Sequence, residues 1–390
     1  MLHLIFTNRI FIIIFIIISM FCLISCRNEN VTTKCDQTVI IRIDDNLVDN
    51  KFTDYNNLID SIEIVKLETS KNSLIGNIQK TIYVNNKLYI GDISNNSITI
   101  FNNNGSFVDK LSKHGNGPDE YIELRDFQID DSGNVHILTY NGIKTYSPSL
   151  SLTNYIKFNY KKRGNENNLN RSIQFIYNDN YLFTYSGSFG LKKIAKNKDF
   201  ALICFDNNQN IISKYLPVKY EYSAGHQHFF NSNGKIYFTN TRGNDTIYQL
   251  HSNSLIPKYY IDYGENRIAE NDMEKGRQDL YMKSVQNHLM GNNQDVYENN
   301  RYLCFTTSYG NLMKQIIYNK TNKKIKVLNI GTKTLPFPTI RIMGCMGDKF
   351  YSILDPWALK SSKLNTPLIN ELKKINDSEN PILIKFTIKE

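Results

Sequence analysis

The sequence predicts an all-β protein, a six-bladed β-propeller in which each blade is a four-stranded antiparallel sheet. The main observation is a short strand-like segment that recurs about every 46 to 66 residues, a spacing typical of propeller blades. Its six copies lie at residues 87–90, 134–137, 180–183, 235–238, 301–304 and 349–352. Composition agrees with this interpretation, because aromatic residues form 12% of the chain and are enriched in strands.

The first copy shows how one blade is assembled. Strand-like segments at 87–90, 97–101 and 107–111 alternate with turns rich in Asn and Gly, which is typical of consecutive antiparallel strands. In most copies the following strand ends in or near an aromatic residue: Phe101, Tyr146, Phe205, Tyr248 and Tyr318. We therefore expect each repeat to fold as a meander that packs both of its faces against neighbouring blades.

The ring is expected to be closed by a strand from the N-terminal part of the chain. The sixth blade lacks an outer strand, because the chain ends soon after the strand-like segment 382–388. Either 62–67 or 38–43 is predicted to complete it, and closure removes a sheet edge that would promote aggregation.

Two stretches have helical rather than strand-like spacing. Residues 265–290 place Ile268, Leu280 and Leu289 at roughly helical intervals without a proline, and residues 359–375 show a similar pattern. We expect helical insertions there, between blades four and five and within blade six. They either pack over strand edges or form the wall of a binding cleft.

The N-terminus predicts export and a lipid anchor. Arg9 precedes an apolar run that is too short for a usual membrane span. The Leu-Ile-Ser-Cys sequence ending at Cys26 resembles the bacterial lipobox, whose cysteine is acylated. The predicted divisions are a signal peptide at 1–25, a tether at 26–36 and the propeller at 37–390. An ordinary cleaved signal or a short anchor helix is the alternative.

Charge distribution and cysteine spacing argue against nucleic-acid binding and against a metal or redox motif built from cysteines. The formal net charge is +9, but the densest basic clusters, at 161–163 and 192–198, fall in apparent loops. Since an exported protein rarely meets nucleic acid, we predict no nucleic-acid partner. Cys35, Cys204, Cys304 and Cys345 are widely spaced and are expected to be mostly buried thiols rather than a metal or redox motif.

The segment Gly-Asn-Gly-Pro-Asp-Glu-Tyr at 115–121 resembles the signature of six-bladed propeller lipoproteins of Bacteroidetes, which are similar to NHL-repeat propellers. Residues 244–248 and 260–264 resemble a second block of that family. The resemblance implies the fold and an outer-membrane anchor, and it implies little about biochemical activity. Only one acidic residue, Glu29, closely follows Cys26, so exposure to the periplasm and to the cell surface both remain open.

The 115–121 turn is the first candidate site. It joins the outer strand of one blade to the inner strand of the next, on the face where the channel opens. Gly115 and Gly117 are expected to supply special backbone geometry, while Asp119 and Glu120 accept bonds from backbone N–H groups. The alternative is that His114, Glu120 and Arg125 face a ligand.

A metal site is the second candidate. His226 and His228 are the only His-x-His pair, and alternate residues of a strand share a face. A third ligand could be Asp126 or His136. Further ligand-binding candidates are Arg242, Arg341 and Trp357, of which the single Trp offers a flat face for a sugar.

These observations favour a non-enzymatic lipoprotein that binds a glycan, a peptide or a partner protein and meets the membrane through its lipid. No cofactor is predicted. The alternative is a metal-assisted lyase or hydrolase that uses a divalent metal at His226, His228 and Asp126. No nucleotide-binding or familiar hydrolase motif occurs in the sequence.

Overall fold

A computed structural model describes the chain from residue 38 onward. The described residues are 38–44, 58–92, 94–158, 169, 172–186, 200–218, 227–239, 243–269, 272, 277–330, 341–356, 360, 370, 373–374, 376 and 378–389. In this part of the chain no helix has both the length and the apolar character needed to span a membrane.

The strands form six sheets that follow one another along the chain as the blades of a propeller. Two strands precede the first blade: β1 (Val39–Arg42) and β2 (Ile59–Lys66). Blade 1 contains β3 (Lys80–Val84), β4 (Lys87–Asp92), β5 (Ser97–Asn102) and β6 (Phe107–Leu111). Blade 2 contains β7 (Asp126–Ile129), β8 (Val135–Thr139), β9 (Gly142–Tyr146) and β10 (Leu152–Lys157). Blade 3 contains β11 (Gln174–Asn178), β12 (Tyr181–Tyr185), β13 (Phe200–Phe205) and β14 (Ile211–Pro217).

The second half of the ring repeats this order. Blade 4 contains β15 (Phe229–Ser232), β16 (Lys235–Thr239), β17 (Thr246–His251) and β18 (Ser254–Asp262). Blade 5 contains β19 (Met290–Glu298), β20 (Tyr302–Tyr309), β21 (Leu312–Asn319) and β22 (Ile325–Ile330). Blade 6 contains β23 (Gly344–Met346), β24 (Lys349–Leu354) and β25 (Ile382–Ile388). Each of the six predicted repeats coincides with the second strand of a blade, and the predicted fold is confirmed.

Strand β2 closes the ring. It pairs antiparallel with β25, with Ile62 opposite Phe386 and Ile64 opposite Ile384, so the early segment 62–67 completes blade 6. The other candidate, 38–43, was wrong for this role. Strand β1 instead pairs in parallel with β18 and adds a fifth strand to blade 4. Buried Ile41 and Ile43 hold it there.

Apolar residues fill the spaces between blades. Fully buried aromatic side chains occur in every blade, including Phe101, Phe127, Phe183, Tyr237, Phe305 and Tyr351. Cys204 and Cys304 are buried free thiols, and Cys345 is a partly buried one. Cys35 lies outside the described residues. The cysteines that are described therefore pack as part of the blades.

A buried charge cluster joins blades 4 and 5. The Glu298 carboxylate accepts hydrogen bonds from Tyr259 at 2.9 Å, from Lys320 at 2.6 Å and from Tyr237. Burial alone would raise the pKa of Glu298, but the bonds from Lys320 and Tyr237 outweigh it and lower the pKa. The charge is thus stabilised within the blade junction.

The first predicted helical insertion is present between blades 4 and 5. A 3₁₀ turn at Gly264–Asn266 and a helix, α1 (Arg277–Gln286), lie between β18 and β19. Leu280 packs against buried Ile268 and Leu289, which favours a packing role for the helix. The second predicted insertion, 359–375, lies almost entirely outside the described residues.

Candidate functional site

The 115–121 turn precedes the inner strand of blade 2 and is held by its own hydrogen bonds. The Gly115 N–H donates to the Tyr121 carbonyl at 3.1 Å, and the Tyr121 N–H donates to the Lys113 carbonyl at 2.9 Å. The Glu120 carboxylate accepts the Gly117 N–H at 2.8 Å. Glu120 therefore has the structural contact expected of it.

Two side chains of strand β9 hold the turn by hydrogen bonds to three of its successive main-chain carbonyl groups. The Lys144 ammonium donates to the Pro118 and Glu120 carbonyls, and the Tyr146 hydroxyl donates to the Asp119 carbonyl at 2.9 Å. Asp119 thus acts through its main chain, and among the described residues its side chain does not make the predicted contact. Lys144 is buried, and burial lowers its pKa even though Asp119 and Glu120 lie nearby.

The turn also reaches back to blade 1. The buried Tyr121 hydroxyl donates to the Asn96 carbonyl at 2.7 Å, and the Asn96 side chain accepts the Leu124 N–H at 2.8 Å. Burial raises the pKa of Tyr121 to about 12. The turn is therefore a clamp between blades 1 and 2.

The predicted reason for the two glycines was wrong in part. Neither Gly115 nor Gly117 has the left-handed φ that only glycine adopts easily. A Cβ at Gly115 would lie 2.0 Å from a Glu120 carboxylate oxygen, and one at Gly117 would lie 3.0 Å from it. The glycines make room for the Glu120 side chain, and this room is tighter at Gly115.

A cleft of about 700 Å³ opens beside this turn. We call it the turn cleft, and its lining includes the turn itself together with Arg125, Tyr140, Asn141 and Tyr155. Tyr140 is 50% exposed and Tyr155 is 38% exposed. The Arg125 guanidinium lies 5.0 Å from the Tyr140 ring centre, and the Lys144 ammonium lies 5.0 Å from that of Tyr155. Both rings are therefore accessible and are held by a neighbouring cation.

A second cavity, of about 520 Å³, lies where the inner strands begin. We call it the channel mouth. Every blade contributes to it: Lys80, Arg125, Asp126, Gln174, Gln227, Gln294, Asp295 and Arg341 are among its lining residues. A third cavity, of about 500 Å³, shares Lys80, Thr81, Gln227 and Tyr297 with it. The two cavities are thus the two ends of the central channel, and Arg125 also borders the turn cleft.

A buried ion pair links the blades at the channel mouth. Lys80 of β3 lies 2.7 Å from the Asp126 carboxylate of β7, and it also donates to the Phe127 carbonyl at 2.7 Å. The second Asp126 oxygen accepts the Phe175 N–H of blade 3 at 3.0 Å. Burial raises the pKa of Asp126, and the positive charge of Lys80 opposes the rise. One carboxylate therefore connects three blades.

Residues 38–387 match the family described as "Domain of unknown function (DUF4934)". The chain belongs to this family. None of the curated protein sequences matches it significantly.

Solved structures show the same fold as this DUF4934 chain. A protein from Bacteroides fragilis that is described as exported is 19% identical, with a TM-score of 0.72 over 90% of this chain and 100% of that one. A DUF4221 family member from Bacteroides vulgatus is 13% identical, with a TM-score of 0.52 over 85% of this chain and 98% of that one. At these identities the similarity concerns the fold.

In the DUF4934 structure, three of the predicted ligand-binding residues line one or both of the two cavities. Glu120 and Arg125 line the turn cleft, and Arg125 and Arg341 line the channel mouth. His114 is exposed and bridges to Tyr121 through its backbone. Arg242 and Trp357 lie outside the described residues, as do Cys26 and the basic clusters at 161–163 and 192–198.

The candidate metal ligands have other partners. His228 is buried, its Nδ1 lies 2.8 Å from the Thr239 carbonyl, and its ring centre lies 3.7 Å from that of Tyr185. Asp126 contacts Lys80, and the ring nitrogens of His136 contact Thr145 and Asp130. His226 lies outside the described residues. Within the residues that are described, no three His, Cys, Asp or Glu side chains come together as a metal site.

Sequence reasoning missed the tyrosines of the turn cleft and the glutamines of the channel mouth. Tyr140 follows β8, and Tyr155 lies on the outer strand β10, so neither belongs to a recognisable motif. Gln79 immediately precedes an inner strand, Gln174 begins one, and Gln227 lies two residues before one.

Proposed function

We propose that the protein is an exported, lipid-anchored binding protein, and that the turn cleft holds a glycan. Tyr140 and Tyr155 carry this proposal, because they are the two accessible aromatic rings in one cleft and each is positioned by a cation. Aromatic rings offer flat apolar faces with a polar edge, which suits the C–H faces and hydroxyl groups of sugars.

Polar groups around the two rings support a glycan over a purely apolar ligand. Arg125, Asn141, Glu120 and Glu123 line the same cleft and provide both donors and acceptors. Binding sites commonly combine apolar surface with a few such groups. The metal-assisted lyase or hydrolase remains the alternative hypothesis, because its proposed ligand His226 lies outside the described residues.

Binding to soluble oligosaccharides tests the proposed ligand. We expect Tyr140→Ala and Tyr155→Ala each to weaken binding of the best oligosaccharide about tenfold in isothermal titration calorimetry, a loss of about 1.4 kcal/mol per ring. Tyr281→Ala is the matched control, because Tyr281 is a 55% exposed tyrosine on α1. Equal affinities of all three variants and the wild type, or no binding to any oligosaccharide, would contradict the proposal.

The proposed location rests on the lipobox-like residues before Cys26 and is supported by the exported relative from Bacteroides fragilis. We expect Cys26→Ala to abolish acylation and to release the protein from the membrane fraction, since stable anchoring depends on buried acyl chains. Cys35→Ala provides a control in the same part of the chain. A wild-type protein without lipid by mass spectrometry, or a Cys26→Ala variant that stays with the membranes, would contradict the anchor.

A further inference from the structure

The channel mouth contains an amide side chain that lacks a protein partner. Gln294 of β19 is only 5% exposed and lines this cavity. Among the residues that the structure describes, its side-chain amide makes no hydrogen bond; its backbone pairs with Thr306. Buried polar groups are nearly always satisfied, so an amide that faces a cavity is expected to bind what enters the cavity.

Further amide groups surround the same opening. The exposed Gln79 side chain has no hydrogen-bond partner among the described residues. Gln227 uses its amide nitrogen to donate to the Phe229 carbonyl at 2.9 Å. Each amide offers a donor and an acceptor side by side. Neighbouring hydroxyl groups of a sugar can accept from the one and donate to the other. Ile78, Ile173 and Met343 add apolar surface for C–H groups.

The charges at the channel mouth are balanced. Lys80 is paired with Asp126 at 2.7 Å, Arg341 with Asp295 at 2.6 Å, and Arg125 with Glu123 at 2.6 Å. Each cation that lines the mouth thus has a carboxylate partner, so an anionic ligand would have to compete with an existing ion pair. The remaining hydrogen-bonding capacity is neutral.

We propose that the channel mouth is a second binding site, which binds a neutral mono- or disaccharide and recognises it through hydrogen bonds to Gln294. The cavity of about 520 Å³ lies within the range of about 300–1,000 Å³ that is usual for small-molecule sites. This site is distinct from the turn cleft and does not depend on the function proposed for that cleft. Its ligand enters where all six inner strands converge.

Saturation-transfer NMR and calorimetry on the full-length protein test this site. The probes are glucose, galactose, mannose, N-acetylglucosamine and maltose, with glucuronate as the charged counterpart of glucose. We expect at least one neutral sugar to bind the wild type, and Gln294→Met to weaken it about tenfold because a buried hydrogen-bonding group is lost. We expect glucuronate to bind more weakly than glucose.

Matched variants keep the test decisive. Gln286→Met makes the same change at an exposed helical position and is expected to leave binding unchanged, as is Tyr281→Ala on the same helix, where Tyr281 is 55% exposed. If Gln294→Met does not fold, Gln79→Ala at the exposed rim provides the same test. Failure of every neutral sugar to bind, stronger binding of glucuronate, or unchanged affinity in a folded Gln294→Met variant would overturn the proposal. If Gln294→Met does not fold, unchanged affinity in Gln79→Ala would overturn it.

Discussion

The turn cleft and the channel mouth share Arg125, but they are built in opposite ways. The cleft is formed by residues between 115 and 155, whereas the mouth takes residues from 78 to 343 and from every blade. Hydrogen bonds from Lys144 and Tyr146 to main-chain carbonyls hold the wall of the cleft. A buried ion pair holds the mouth. The exposed side chains of the cleft, such as Tyr140, can therefore vary without disturbing the ring, whereas Asp126 of the mouth joins three blades.

The largest expected effect is at Asp126. Asp126→Ala leaves the Lys80 ammonium buried without its carboxylate and removes the acceptor of the Phe175 N–H. We expect a loss of about 3–5 kcal/mol in the free energy of unfolding, measured by urea denaturation. Replacing the pair together, as Lys80→Met with Asp126→Leu, should recover part of that loss, because no buried charge remains but the Phe175 N–H still lacks its acceptor.

Removing a carboxylate at the turn cleft provides the comparison. Glu123 is paired with Arg125, but its side chain is 41% exposed, so Glu123→Ala should cost less than about 1 kcal/mol. If Asp126→Ala and Glu123→Ala have similar urea midpoints, the ion pair at the channel mouth does not stabilise the junction between blades as we describe.

The strands could be predicted from the sequence because each blade repeats the same local chemistry. Residues 87–90 and 349–352 both place a lysine and then consecutive apolar or aromatic side chains after a turn, and both fall on second strands. Closure by an early strand also followed from the sequence, but the choice between 62–67 and 38–43 came only from the structure. The position of β1 did not, because nothing in residues 39–42 distinguishes a parallel fifth strand from an outer strand.

The sites were predictable only where their residues are close in sequence. The 115–121 turn drew attention to Glu120 and Arg125, which do line a cleft. Lys80 looks like an ordinary solvent-facing lysine on a strand, but the ring buries it against Asp126, 46 positions later. Gly115 shows another limit, because a sequence does not distinguish a glycine that adopts an unusual φ from one that makes room for a neighbour.

A smaller effect than at Asp126 is expected at Gly115. It tests whether the wall of the turn cleft depends only on contacts within the turn. The methyl group of Gly115→Ala would take the space of the Glu120 carboxylate. Because Glu120 is exposed and flexible, it should move away and lose its bond to the Gly117 N–H. We expect a cost of about 0.5–1.5 kcal/mol in urea denaturation, the usual worth of one hydrogen bond.

A double-mutant cycle separates this cause from backbone strain. Glu120→Ala removes the same hydrogen bond, so adding Gly115→Ala to it should cost nothing further. The pair should even gain about 0.4–1 kcal/mol relative to Glu120→Ala alone, because alanine restricts the unfolded chain at a φ that it can adopt. With Glu120→Gln, whose side chain is as long as that of glutamate and still occupies the space, Gly115→Ala should remain destabilising. Additive losses in the Ala–Ala pair would mean that Gly115 is needed for its backbone conformation, and that the turn is less tolerant of change than the comparison with the channel mouth implies.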